Sequence, residues 1–220
     1  MDTTSEDDFT VFGIGLGIGP SYDRFQEDEI NFFNKQVDKL SFIICKATQG
    51  MILIDQNFKT NWKAIQAKGY VRGAYHFYRC DDSPEKQASH YLNVINDLSE
   101  TDLPPIVYFE ELSLSSHTDK TSIQANLLTF LTHVQKRSGR KPIIYTNYST
   151  VGAYLSDTEF DNYNLWIANP DSSFKLPTIW KSKKWVFWQQ SYNYKLYEQL
   201  YDYSVFNGDY DAFKNFIQSN

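Results

Sequence analysis

The tripeptide Tyr108-Phe109-Glu110 is where residue type and spacing in this chain come nearest to chemistry. It follows Leu103-Pro104-Pro105 and the apolar pair Ile106-Val107, so Glu110 closes a short strand at its carboxyl end. Side chains alternate along a strand, which puts Tyr108 and Glu110 on one face and Phe109 and Glu111 on the other. If the strand belongs to a β/α barrel, that end is the face that carries active sites. A carboxyl above an apolar floor there binds its proton more tightly and suits general-acid work. The segment alone fits equally a solvated glutamate in the following loop. A second acidic pair, Asp209 and Asp211, comes after Phe206-Asn207-Gly208 and by itself reads as an ordinary turn. Trp185, Phe187 and Trp188 stand beside Gln189 and Gln190. Aromatic faces next to amides suit sugar rings, which present C–H faces and hydroxyls, although core packing uses the same side chains.

Other chemistries lack their residues. The run Gly13-Ile14-Gly15-Leu16-Gly17-Ile18-Gly19 is not a dinucleotide loop, because position 18 should then be glycine, and no Lys-Ser or Lys-Thr follows for a phosphate loop. It reads as a strand where small residues admit a close backbone approach. His76, His90, His117 and His133 have no metal-binding spacing, and Cys45 and Cys80 make neither a disulfide framework nor a zinc site, so no metal and no cofactor are expected. Lys and Arg number 21 against 27 Asp and Glu, a net charge of −6, which argues against nucleic acid as a partner. Apolar runs fall well short of the ~18 residues of a membrane span. Residues 1–8 read as an acidic disordered tail with no leader character, and residues 9–220 as one domain. Localisation stays open: extracytoplasmic if a leader was removed, otherwise cytoplasmic.

These residues need a scaffold that brings distant segments together. Short β-branched or aromatic runs at 9–16, 40–45, 70–77, 106–109, 142–146, 165–168 and 185–189 predict strands. Amphipathic stretches at 28–38, 57–68, 83–98, 121–138 and 148–155 predict helices between them. Ser83-Pro84 is a helix start, and Gly69 and Gly139 are helix stops. Alternating strands and helices with a helix-poor final third predict an α/β fold with a parallel sheet, a closed barrel first and an open doubly wound sheet second.

In order along the chain, these segments resemble glycoside hydrolase family 25, the lysozymes or N-acetylmuramidases that cut peptidoglycan glycan strands. The resemblance is carried by Phe12-Gly13-Ile14, by Phe42-Ile43-Ile44-Cys45-Lys46-Ala47-Thr48-Gln49-Gly50, and by Asp55, Phe58 and Asn61. Arg72-Gly73-Ala74-Tyr75-His76-Phe77, Leu103-Pro104-Pro105 and Lys141-Pro142-Ile143-Ile144-Tyr145-Thr146-Asn147 continue it. Leu165-Trp166-Ile167-Ala168, Phe187-Trp188-Gln189 and Asn207-Gly208-Asp209-Tyr210-Asp211-Ala212-Phe213 complete it.

The resemblance implies a distorted TIM-like (β/α)5(β)3 barrel acting on peptidoglycan or a related amino-sugar glycan. By the same resemblance, Glu110 and Asp209 are the catalytic carboxylates, and Tyr75, Tyr108, Tyr145, Trp188, Gln189 and Asp211 contact substrate. The sequence departs where the family opens with Gly-Ile-Asp-x-Ser, here Gly13-Ile14-Gly15-Leu16-Gly17, and at the family's Asp-x-Glu, here Tyr108-Phe109-Glu110. Glycoside hydrolysis needs a proton donor and a negative group that balances the oxocarbenium-like charge. A phenol that ionises near pH ~10 cannot supply that charge at neutrality. The expectation is an impaired muramidase that still binds glycan; an active hydrolase with altered chemistry through Glu110, and a protein-binding scaffold, are the alternatives.

Overall fold

Alternate residues of the strands enter two separate hydrophobic clusters, and this division closes the sheet into a barrel. The computed structural model describes residues 11–16, 40–114, 118–171, 176–180, 185–196 and 199–219. On β2 (Leu40–Gln49), Phe42 and Ile44 join an inner cluster with Tyr108, Tyr145, Trp166 and Phe187. Ile43, Cys45 and Ala47 on the same strand pack outward against helix residues such as Trp62, Tyr91 and Phe130. Strands buried on both faces read as continuous apolar runs, as they do here.

In order, the described elements are β1 (Phe12–Leu16), β2, the two-residue β3 (Leu53–Ile54), α1 (Phe58–Ala67), β4 (Val71–Phe77), α2 (Pro84–Val94), β5 (Ile106–Tyr108) and α3 (Lys120–Ser138). There follow β6 (Ile143–Asn147), α4 (Tyr148–Tyr154), β7 (Asn164–Ala168), β8 (Phe187–Leu196), β9 (Gln199–Phe206) and α5 (Tyr210–Ser219). The sheet order is β1-β9-β8-β7-β6-β5-β4-β2-β3, with β1 also paired to β2. That last pairing settles the choice between closed and open sheets: all strands but β3 form a barrel. The contacts from β1 through β2, β4, β5, β6 and β7 to β8 are parallel. β9 is antiparallel to both β8 and β1. An antiparallel strand can follow its neighbour through a tight hairpin, whereas a parallel one needs a crossover, so no described helix separates β8 from β9.

Local signals set the boundaries. Ser83 Oγ accepts from Lys86 N, with Pro84 as first helical residue of α2. Asp119 accepts from Ser122 N to open α3, and Gly139 at φ 72° ends it. The expected helix over 83–98 stops at Val94. The expected helix over 28–38 and the acidic stretch 1–8 lie outside the described residues. At Gly13 a Cβ would fall 2.1 Å from Phe42 Cδ2 and 2.4 Å from the Phe42 carbonyl oxygen, so a close approach of β1 to β2 requires glycine there.

Two devices secure the amino-terminal end of the barrel. Arg72 Nε and Nη2 each donate to Asp102 at 2.7 Å, and both side chains are buried. α5 inserts Phe213 and Ile217 into the inner cluster, where Phe213 lies 5.1 Å from Phe206 and 5.6 Å from Phe42. Burying each such ring is worth about 2–3 kcal/mol. Solvent and ligand therefore meet the lumen from the opposite end.

Candidate active site

The parallel strands deliver their carboxyl ends to one mouth, and their inward side chains line it. β4 contributes Tyr75 and Phe77, β5 Tyr108, and β6 Tyr145. The Tyr108 ring is stacked between Phe77 and Tyr145, each with its centroid 4.7 Å away, and Tyr145 meets Trp166 edge-on at 4.7 Å. This aromatic stack fixes where the phenol points: Tyr108 Oη donates to Glu110 Oε2 at 2.5 Å. Past β5, the chain turns through a single 3-10 turn (Glu111–Ser113), and Glu110 N donates to Ser113 Oγ at 3.2 Å. Asn147, at the end of β6, donates to Glu111 at 2.8 Å, and Ser149 also bonds Glu111.

A carboxyl group that the sequence reading did not single out completes the mouth. Asp202 pairs with Gly15 across the β1–β9 ladder. Its strand neighbours in phase, Ser204 and Phe206, face the lumen: Ser204 Oγ accepts from Trp166 Nε1 at 3.2 Å and Phe206 belongs to the inner cluster. Alternation therefore turns Asp202 inward as well. Because β9 runs antiparallel, its amino end stands at the mouth. Burial, and then the negative charge of Glu110, push the Asp202 carboxyl up to about 8. It thus holds its proton at neutral pH.

Burial likewise raises Glu110 above the usual glutamate range, with the bond from Tyr108 acting in the opposite direction. The Tyr108 phenol is raised too, by burial first and by the Glu110 charge second. The Tyr108–Glu110 pair and the Asp202 carboxyl thus face a single space. Lys46, on β2, donates to Gln49 Oε1 at 2.7 Å and stands 5.1 Å over the Phe77 ring; burial lowers it to about 8. Gln189, the last residue of β8 paired with β7, is fully buried, and neither polar atom of its amide has a hydrogen-bond partner. An orphaned buried amide costs about 1–3 kcal/mol, which a bound polar group or water in the lumen would relieve.

Of the residues proposed from the sequence, Glu110, Tyr108, Tyr75, Tyr145 and Gln189 are brought into the barrel. Three are not. Asp209 lies beyond the far end of antiparallel β9, exposed, where its Oδ1 accepts from Ala212 N at 2.8 Å and caps α5. The expectation that Asp209 stands near Glu110 is therefore corrected; the two sit at opposite ends of the barrel. Asp211 is exposed on α5 and pairs with Lys214 at 2.8 Å. Trp188 faces outward, packs on the outer cluster and donates Nε1 to the Asn169 carbonyl at 2.7 Å. His76, within the matched Tyr75-His76-Phe77, also points outward, between Thr48 Oγ1 (2.7 Å) and Gln87 Oε1 (3.1 Å). Burial lowers it to about 3, so it is a neutral strut under α2 and α3. Among the described residues no group of three or more His, Cys, Asp or Glu side chains is placed to hold a metal ion. No described helix is long and apolar enough to cross a membrane.

Glu110 and Asp202 face one mouth of this barrel, the end to which the parallel strands bring their carboxyl ends and antiparallel β9 its amino end. The model of the glycosyl hydrolases family 25 matches residues 23–198, and the chain belongs to that family. It is 30% identical over 190 residues to the YegX protein of Escherichia coli O6:H1, covering 81% of this chain and 64% of YegX. The chain thus spans less than two thirds of that relative. Among solved structures, a muramidase from Trichobolus zukalii superposes with a TM-score of 0.80 at 25% identity, covering 96% of this chain and all of that one. A bacterial lysozyme from Streptomyces coelicolor shares the fold at a TM-score of 0.82 and 22% identity, over 97% of this chain and 99% of that one.

Proposed function

We propose that this domain binds an amino-sugar glycan of the peptidoglycan type at the barrel mouth and hydrolyses it slowly compared with a family member that keeps the full carboxylate set. The observation that carries this reading is the occupant of position 108. A tyrosine stands there with its hydroxyl on Glu110, and position 15, facing Asp202 across the ladder, has no side chain at all. Two ionisable oxygens that could balance positive charge at the sugar are replaced by a neutral phenol and by space. Losing one transition-state electrostatic partner costs on the order of 10²–10³ in rate. The rest of the mouth supports glycan binding: the Gln189 amide, buried without a hydrogen-bond partner, suits hydroxyl or acetamido groups.

The test is release of reducing ends from purified peptidoglycan, run beside cosedimentation with the same material. We expect binding, together with slow release that Glu110→Gln abolishes. Release as fast as that of the Trichobolus zukalii muramidase under the same conditions would overturn the slow-turnover reading. Absence of binding would overturn the glycan reading.

A further inference from the structure

A tyrosine hydroxyl held 2.5 Å from a glutamate is the geometry of a nucleophile beside its base, with the phenol as the attacking atom and the carboxylate as proton acceptor. We propose that Tyr108 is the nucleophile of this domain, with Glu110 as its base and Asp202 as the acid that protonates the departing sugar oxygen. The proposal rests on the reading of the mouth as a glycan site. It gives each of the three groups the role its surroundings permit.

Three features of the mouth point the same way. First, the Tyr108 ring cannot swing away, because Phe77 and Tyr145 stack on its two faces. The oxygen is therefore presented in one orientation, the condition for a positioned nucleophile. Second, Glu110 is partly buried and binds its proton more tightly than a free glutamate, as a base must. Third, Asp202 reaches the mouth from β9, on the far side of the barrel from β5, and burial keeps it protonated at neutral pH. Tyrosine nucleophiles with a carboxylate base are an established variant of glycoside hydrolysis.

The step balances as follows. Tyr108 Oη forms a bond to the anomeric carbon while the glycosidic C–O bond breaks. The phenolic proton passes to Glu110, and the Asp202 proton passes to the leaving oxygen. The phenol stays protonated until that moment, consistent with a proton affinity raised by burial and by the Glu110 charge. Water then attacks the anomeric carbon, giving one proton to the Asp202 carboxylate, and the aryl ether bond to Tyr108 breaks as Glu110 returns its proton. Two displacements give overall retention of configuration.

The experiment uses the whole chain and two probes: purified peptidoglycan, and a 2,4-dinitrophenyl 2-deoxy-2-fluoroglycoside of an amino-sugar disaccharide, which traps a glycosyl–enzyme intermediate. Intact-protein mass spectrometry and peptide mapping should place one sugar on Tyr108 in the wild type and none in Tyr108→Phe. Tyr108→Phe keeps the ring stack, and equal thermal midpoints with retained peptidoglycan cosedimentation would show it folded. Its release of reducing ends should fall at least ~100-fold. Asp202→Asn should slow peptidoglycan by a similar factor yet leave trapping by the dinitrophenyl glycoside intact, because that leaving group needs no proton. A sugar on Glu110 or Asp202, an inverted product anomer, or undiminished turnover in Tyr108→Phe would overturn the assignment while leaving the glycan reading in place. No trapped adduct in a wild type that binds and cleaves peptidoglycan would overturn this proposal alone, and no release from a wild type that binds it would overturn both this proposal and the slow turnover. No binding at all would overturn this proposal and the glycan reading.

Discussion

Replacing Asp202 with asparagine should stabilise the protein at neutral and alkaline pH while slowing its hydrolysis of peptidoglycan ~100-fold. In the folded chain this carboxyl keeps its proton up to about pH 8, because burial and the nearby Glu110 charge oppose ionisation. An aspartate in an unfolded chain releases its proton near ~3.9. Between those values the folded state holds a proton that the unfolded state does not, so the stability contributed by this group falls as pH rises through the window. Below the unfolded value the group carries no penalty; above about 8 the penalty is complete. One pH unit is worth ~1.36 kcal/mol, so the cost at pH 7 is about 4 kcal/mol. Asparagine has nearly the same shape and no charge to lose. Urea unfolding of wild type and Asp202→Asn at pH 5 and pH 8 isolates the effect, since other buried groups titrate in both proteins. The advantage of the variant should widen by ~4 kcal/mol over those three pH units. A gap that does not change with pH, or a variant less stable than wild type at pH 8, would refute the placement of this carboxyl in a desolvated mouth. The expected pairing of higher stability with slower turnover is the usual cost of a functional site.

Two further outcomes check the fold and the corrected site. Asp209→Ala should leave hydrolysis and glycan binding unchanged, because Asp209 only caps α5. Its effect should be about 1 kcal/mol in chemical denaturation, and a loss of turnover without loss of stability would return Asp209 to the site. Gly13→Ala should lower stability by more than ~2 kcal/mol, since the new methyl group would meet both the ring and the carbonyl of Phe42; a thermal midpoint equal to that of wild type would refute the close approach of β1 to β2.

The sequence by itself determined the elements and the family. Runs such as Phe42-Ile43-Ile44-Cys45 are apolar on both faces and have to lie in a sheet covered on both sides. Ser83-Pro84 and Gly139 mark helix ends through local backbone requirements that need no tertiary partner. The pairing of Tyr108 with Glu110 was legible for the same reason: strand alternation is local, and it puts residues two apart on one face. Strand direction is not local. The sequence reading looked for site residues at carboxyl ends, which is right for β4 and β5 and wrong for β9, whose antiparallel course brings its amino end and Asp202 to the mouth and carries Asp209 away. The alternation of Tyr201, Tyr203 and Val205 with Asp202, Ser204 and Phe206 was the signal that could have found this strand. Inside and outside were also beyond the sequence, since Gln189 and Trp188 are adjacent and equally suited to sugars, yet closure of the barrel turns the amide into the lumen and the indole against the outer layer. What only the tertiary structure decided was which titratable groups share one desolvated space. The interactions that set their charges act through a few ångströms of low-dielectric interior, across strands far apart in the chain.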